Sequence, residues 1–248
     1  MSHVNTRYEA GTAFVEFSVP PVNALPSVAL MEMVEHLEAA GRDERVRMIV
    51  LASEGRTFCA GASFDELLRL NNMDEATWFF SGFGKVILAM RSAPKPVVVR
   101  VHGKAVGGGV GLVAAGDLSL AVEDAAFKLS ELSIGIGAYV ISPAIERRTG
   151  RAGLQRMSWQ AKRWFSAFDA LKMGLVDDVF ESTRRMDEQL AVLGEQFAAY
   201  DPVAIARWKQ RLWDDTAGWE ERMNRLARQS AELLLREDVK KRLNELKG

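Results

Sequence analysis

The sequence predicts an α/β fold built around a parallel sheet and followed by a region that is almost entirely helical. Three observations carry that prediction. The runs RMIVLA at 47–52 and VVVRV at 97–101 read as strands covered on both faces, because β-branched side chains fit a buried pleated surface. An amphipathic segment after Pro26 separates the first run from an alternating stretch at 12–19, and strand, helix, strand at this spacing implies a right-handed crossover with parallel pairing. From residue 142 onward the apolar spacing is helical.

Each element follows from local signals. Thr12 to Val19 alternates as a strand, and Pro20, Pro21 and Asn23 break it. Pro26 opens a helix on which Leu30, Met33, Val34 and Leu37 recur at helical spacing, with Gly41 as its stop. Gly61 marks a turn before a short helix at 64–70, whose Asp65 and Glu66 suit the first turn. A helix over 74–91 carries Trp78, Phe79, Phe80 and Phe83, as core residues or as the lining of an apolar tunnel. Leu118 to Val122 is a further strand, and Phe127 to Leu132 a turn. The helical region divides into 142–158, 166–173, 182–199, 202–213 and 217–246. Its last segment has a broad apolar face, from Met223 to Leu235, that packs on the core or on a second copy.

Composition narrows the function classes. With 248 residues, 48% hydrophobic and 26% charged, the chain is long enough for a substantial core. A net charge of -1 gives no basic footprint for nucleic acid, and no apolar run reaches the roughly 18 residues of a membrane span. One cysteine, Cys59, excludes an internal disulfide and suits a reducing, cytoplasmic setting; the N-terminal residues lack the apolar core of a signal peptide. Three histidines without ligand spacing argue against a metal site.

The chemistry concentrates in residues 97–137. A buried strand runs into Gly107, Gly108 and Gly109, and a small-residue helix follows. Glycines there let the first free N–H groups of the helix touch a ligand oxygen, as an oxyanion site requires; equally, they let a helix pack tightly on a sheet. A P-loop is excluded because Lys104 precedes the cluster, and no dinucleotide-binding register fits. An N–H near Ala62, at the carboxyl end of a parallel strand, is a second candidate donor. Glu131 lies among Phe127, Leu129, Leu132, Ile134 and Ile136, where a carboxylate is solvated, paired or used as a base of raised pKa. A surface or capping role stays open. Cys59 reads as a small buried residue, and His102 as a turn residue. Tyr139 follows closely enough to reach the same site.

Three segments together resemble the crotonase superfamily, the enoyl-CoA hydratase and isomerase group: FCAGASFDEL at 58–67, KPVVVRVHGKAVGGGVGL at 95–112 and AAFKLSELSIGIG at 125–137. Their order and spacing are specific, and the match in length and helical tail spans nearly the whole chain. The resemblance implies a spiral of ββα units over 1–195 and a C-terminal helical trimerisation region over 196–248, in homotrimers or hexamers. It implies an acyl-CoA substrate in fatty-acid metabolism, no tightly bound cofactor beyond the coenzyme A of that substrate, and no nucleic-acid or membrane partner. Carried over by position, the N–H groups of Ala62 and Gly108 hold the thioester oxygen, Ala60 and Gly61 lie beside coenzyme A, and Glu131 moves the proton. Lys240 and Lys241 are candidates for the phosphates.

The chain departs from the hydratase pattern at one place. Hydratases that it resembles carry a second Glu two residues after the triple glycine, and here that residue is Gly111. One carboxylate beside a stabilised enolate suffices to move a proton from the α- to the γ-carbon, whereas holding and deprotonating water is shared between two, so isomerisation fits better. Ser63, where the family often has Asp, points the same way. Hydration with a non-standard second group and a non-catalytic acyl-CoA binding protein remain the alternatives. A serine hydrolase lacks its G-x-S-x-G elbow.

Overall fold

The computed structural model describes residues 2–247. Its strands are β1 (His3–Glu9), β2 (Thr12–Ser18), β3 (Ala24–Leu25), β4 (Met48–Ser53), β5 (Thr57–Cys59), β6 (Gly61–Ala62), β7 (Val97–Val101), β8 (Lys104–Val106), β9 (Leu118–Val122), β10 (Ala126–Lys128), β11 (Phe165–Ser166) and β12 (Asp178–Phe180). Its α-helices are α1 (Ser27–Arg42), α2 (Phe64–Arg69), α3 (Met73–Ser92), α4 (Gly108–Ala114), α5 (Ser142–Trp159), α6 (Ala167–Lys172), α7 (Thr183–Ala199), α8 (Pro202–Leu212), α9 (Trp219–Leu234) and α10 (Glu237–Lys247).

The main sheet has the order β1-β2-β4-β7-β9-β12, with β2 through β12 parallel as the strand, helix, strand spacing predicts. A smaller sheet, β11-β10-β8-β5, lies beside it. The two are built alternately: β4, β7 and β9 enter the main sheet, and the strand after each, β5, β8 and β10, enters the small one. This is the ββα repeat of the expected spiral, and it brings the carboxyl ends of β5, β8 and β10 to one place. The core strands β4 and β7 are buried along nearly their whole length, in keeping with their Val- and Ile-rich composition.

Several elements differ from the sequence reading, each for a physical reason. β1 has no apolar alternation because it is an edge strand, exposed or half-buried throughout, and the hairpin turn at Ala10 and Gly11 gives it its antiparallel register. The turn expected at 127–132 is β10 followed by a 3-10 helix, Glu131–Ile134. The long terminal helix divides at Leu235 and Arg236, which lets α10 fold back. α9 packs along α3, where Met223 meets Gly84, and α10 reaches α2 and the 3-10 helix. The apolar face of α9 is therefore spent on this chain's own core. Among the described residues no helix is long and apolar enough to cross a membrane.

Candidate active site

The carboxyl ends of the small sheet converge on a cavity of about 60 Å³, walled on its other sides by α3, the 3-10 helix, the 137–141 loop and α9. Ala60, Gly61, Ala62, Gly108 and Glu131 all line it. Sequence places them in three separate segments, and folding brings all of them to this one space.

Backbone geometry prepares the first wall. Gly61 has φ +88, and a Cβ there would lie 2.9 Å from the Val106 carbonyl oxygen and 3.5 Å from the Gly108 nitrogen, so β6 and the start of α4 touch. The Ser63 N–H donates to the Leu25 carbonyl of β3 at 3.0 Å. Because successive N–H groups of an extended strand point to opposite sides, that of Ala62 is directed away from β3. At Gly108 the reason differs. The first intrahelical bonds of α4 run from Val110 and Gly111 to the Gly107 carbonyl, leaving the Gly108 N–H without an acceptor in its own helix. Two main-chain donors thus border the same cavity.

Glu131 forms the facing wall. Gly107 holds φ +53 and ψ -117, a conformation costly for any other residue, and its N–H donates to the Lys128 carbonyl at 2.8 Å. A Cβ on Gly107 would sit 2.7 Å from Glu131 Oε1, so the carboxyl lies directly against the glycine turn. The stem of Glu131 is half-buried, but Oε2 is buried and has no hydrogen-bond partner. Burial disfavours the charged form and pushes the carboxyl up to about 7, opposed only weakly by its own backbone N–H. A carboxylate with one buried, unpartnered oxygen is poised to exchange a proton near neutrality.

The position of the missing second carboxylate is filled. A Cβ on Gly111 would lie 2.4 Å from Ile141 Cγ2 and 2.5 Å from Ile141 Cβ, and Ile141 lines the cavity. An apolar side chain occupies the space that a Glu at 111 would need.

Of the four aromatic residues on α3, only Phe80 and Phe83 face the cavity. Trp78 is 53% exposed beneath Lys85 Nζ, 3.3 Å from its ring centre, and Phe79 is fully buried in the core. Phe79 thus takes the core role that the sequence offered, and Trp78 takes neither role. Tyr139 lines the cavity, its ring over Gly137. His102 turns outward from the site, with Nε2 3.0 Å from the Gly55 carbonyl oxygen. Cys59 is buried, and its thiol is pushed up to about 12 by desolvation, so it is a packing residue. Lys240 has another use: its Nζ donates to the Leu67 and Leu70 carbonyls at 2.8 and 2.5 Å, closing the end of α2. Ile141 and Ser230 were not readable as site residues. Ile141 acts only through a glycine 30 positions away, and Ser230 only through the docking of α9, although the small residues around it, Ala227 and Ala231, are what allow so close an approach.

The family model for enoyl-CoA hydratase/isomerase matches residues 7–242. A probable enoyl-CoA hydratase of Bacillus subtilis is 28% identical over 97% of this chain and 93% of its own length. The (7aS)-7a-methyl-1,5-dioxo-2,3,5,6,7,7a-hexahydro-1H-indene-carboxyl-CoA hydrolase of Mycobacterium tuberculosis is 31% identical over 86% and 84%. The mitochondrial Δ(3,5)-Δ(2,4)-dienoyl-CoA isomerase of Homo sapiens is 29% identical over 77% of this chain and 61% of its own length. The crystal structure of enoyl-CoA hydratase from Bacillus halodurans superposes with a TM-score of 0.91 over 98% of this chain and 99% of that one, at 20% identity, which shows a shared fold. These relatives are named for different reactions, each on a CoA compound. With its spiral core and a family match over nearly all its length, the chain belongs to the enoyl-CoA hydratase/isomerase family of enzymes.

Proposed function

We propose that this enzyme moves a proton within an unsaturated acyl-CoA thioester, in the manner of an enoyl-CoA isomerase. The Ala62 and Gly108 N–H groups hold the thioester oxygen. Glu131, as carboxylate, takes a proton from the α-carbon; the C–H electrons pass into the Cα–carbonyl bond and the carbonyl pair moves to oxygen as an enolate. Return of the same proton from Glu131 to the γ-carbon shifts the double bond into conjugation. No water is consumed and no cofactor enters apart from the coenzyme A of the substrate. Each oxyanion donor of this type contributes about 10²- to 10³-fold in rate.

The observation that supports this reading over hydration is the pairing of an unpartnered, buried Glu131 Oε2 with an Ile141 side chain in the second carboxylate's place. Nothing at position 111 can hold an attacking water. The test is to incubate the protein with 2-enoyl and 3-enoyl CoA esters and follow both double-bond position and the mass gain of one water. Isomerised product without that gain is expected; hydrated product as the main outcome overturns the reading. Below pH 7 the rate of proton removal should rise with pH as Glu131 loses its proton, and level off above it.

A homotrimer or hexamer with contacts through residues 196–248 belongs to the same proposal. It is supported by the exposed Trp208 and Leu212 on α8, and light scattering in solution tests it. A reducing, cytoplasmic setting is supported by Cys59, buried and unbridged, and is tested by fractionation.

A further inference from the structure

The cavity that takes the thioester and its acyl group is small. About 60 Å³ holds roughly four water-sized positions. The walls that limit it are buried side chains: Phe83 and Ile141 are each 4% exposed. The Phe83 ring lies where a Cβ on Gly108 would be, 2.2 Å from that point, and so stands immediately beside one oxyanion donor. Ile141 closes the opposite side over Gly111. Beyond them stands α9, which contributes Ser230 to the lining and is sealed against the core by Met223, Ala227 and Ala231, all nearly inaccessible. An acyl chain that extends past Phe83 and Ile141 on this side meets the helix.

We infer that the enzyme accepts short acyl groups, about four carbons counted from the thioester carbonyl, and that Phe83 and Ile141 set the limit. The inference rests on the acyl-CoA reading and deepens it. A rigid, well-packed wall rejects each methylene that does not fit by about 10- to 200-fold. Discrimination therefore sets in beyond about four carbons and grows with each further methylene.

Two measurements separate this inference from the proposed reaction. Calorimetry with butyryl-CoA and octanoyl-CoA reads the room in the cavity whether or not any ester is turned over, and at least tenfold tighter binding of butyryl-CoA is expected. Kinetics with 3-butenoyl-CoA and 3-octenoyl-CoA reads the chemistry, with kcat/KM at least tenfold higher for the shorter ester. Equal binding and equal kcat/KM for both lengths overturns the size limit and leaves the reaction standing. Preference for butyryl-CoA in binding, with no isomerisation of any ester, upholds the size limit and overturns the reaction; binding of neither overturns both. Ile141→Ala and, as the milder change, Phe83→Leu should each raise the octanoyl-to-butyryl binding ratio about tenfold. Folded variants with the wild-type ratio remove these two residues from the limit.

Discussion

The buried ammonium of Lys209 and the buried carboxyl oxygen of Glu131 are treated in opposite ways. Lys209 is 5% exposed, and its three donors are all used, on the Met90 and Lys95 carbonyls at 2.8 and 2.9 Å and on Asp117 Oδ2 at 2.7 Å. Asp117 in turn accepts from Trp213 Nε1 and the Val97 N–H. The network pins α8 to the starts of β7 and β9. Glu131 Oε2 has no such partner. A buried charge that is satisfied on every side holds the scaffold together, whereas one left unsatisfied keeps its proton available for chemistry.

That contrast can be broken by mutation, most sharply at Glu131. Glu131→Gln should lower turnover by about 10²- to 10⁴-fold in a steady-state assay while CoA-ester binding persists; near-normal activity removes Glu131 from the mechanism. Lys209→Met should do the reverse. It leaves Asp117 buried without its cation and costs roughly 3–5 kcal/mol in denaturant unfolding, toward the lower value because Asp117 keeps two other donors. Its folded fraction should retain wild-type kcat, and a large loss of kcat would dissolve the distinction between the two groups.

Stability against pH sharpens the comparison further. The folded carboxyl of Glu131 is raised from 4.5 to about 7, so the native state binds the extra proton between these values. Stability from this group is then full below about pH 4.5 and is lost as pH rises to 7, by up to about 3 kcal/mol. Glu131→Gln should therefore stabilise the protein at pH 8 by up to that amount and change little at pH 4.5, in urea titrations at each pH. The opposite trend contradicts the burial. Gly111→Glu alone should cost about 1–3 kcal/mol by driving into Ile141, and relief by Ile141→Ala in the same chain is the outcome that identifies that contact as the cause. The smallest effect belongs to Lys240→Met, about 1–2 kcal/mol from freeing the carbonyls at the end of α2, with Arg recovering part of it.

The parts of the fold legible in the sequence are those with a period of their own. Residues 97–101 and 118–122 are strands at the predicted bounds, and α1, α3 and α7 begin and end within two residues of expectation. The short strands β5, β6, β8, β10 and β11 have two or three residues each, too few to alternate, and exist because a neighbour pairs with them. The site divides in the same way. Gly107 to Gly109 and the lone acid in an apolar run are local features, so they were readable at once. Ile141 in the place of a missing carboxylate, Phe83 against Gly108, and Lys240 spent on α2 are contacts between distant segments with no signal in either partner. The lysine pointed instead to a phosphate, since only the fold supplies the carbonyls that take it.

The C-terminal helices have a consequence beyond packing. The groups proposed to react lie between residues 60 and 131, whereas Ser230, on the far wall, arrives about a hundred residues later, on α9. One wall of the container is thus written far from the reagents, although Phe83 and Ile141 stand near them in sequence. Substitutions on α9 can reshape that wall without touching the atoms proposed to react.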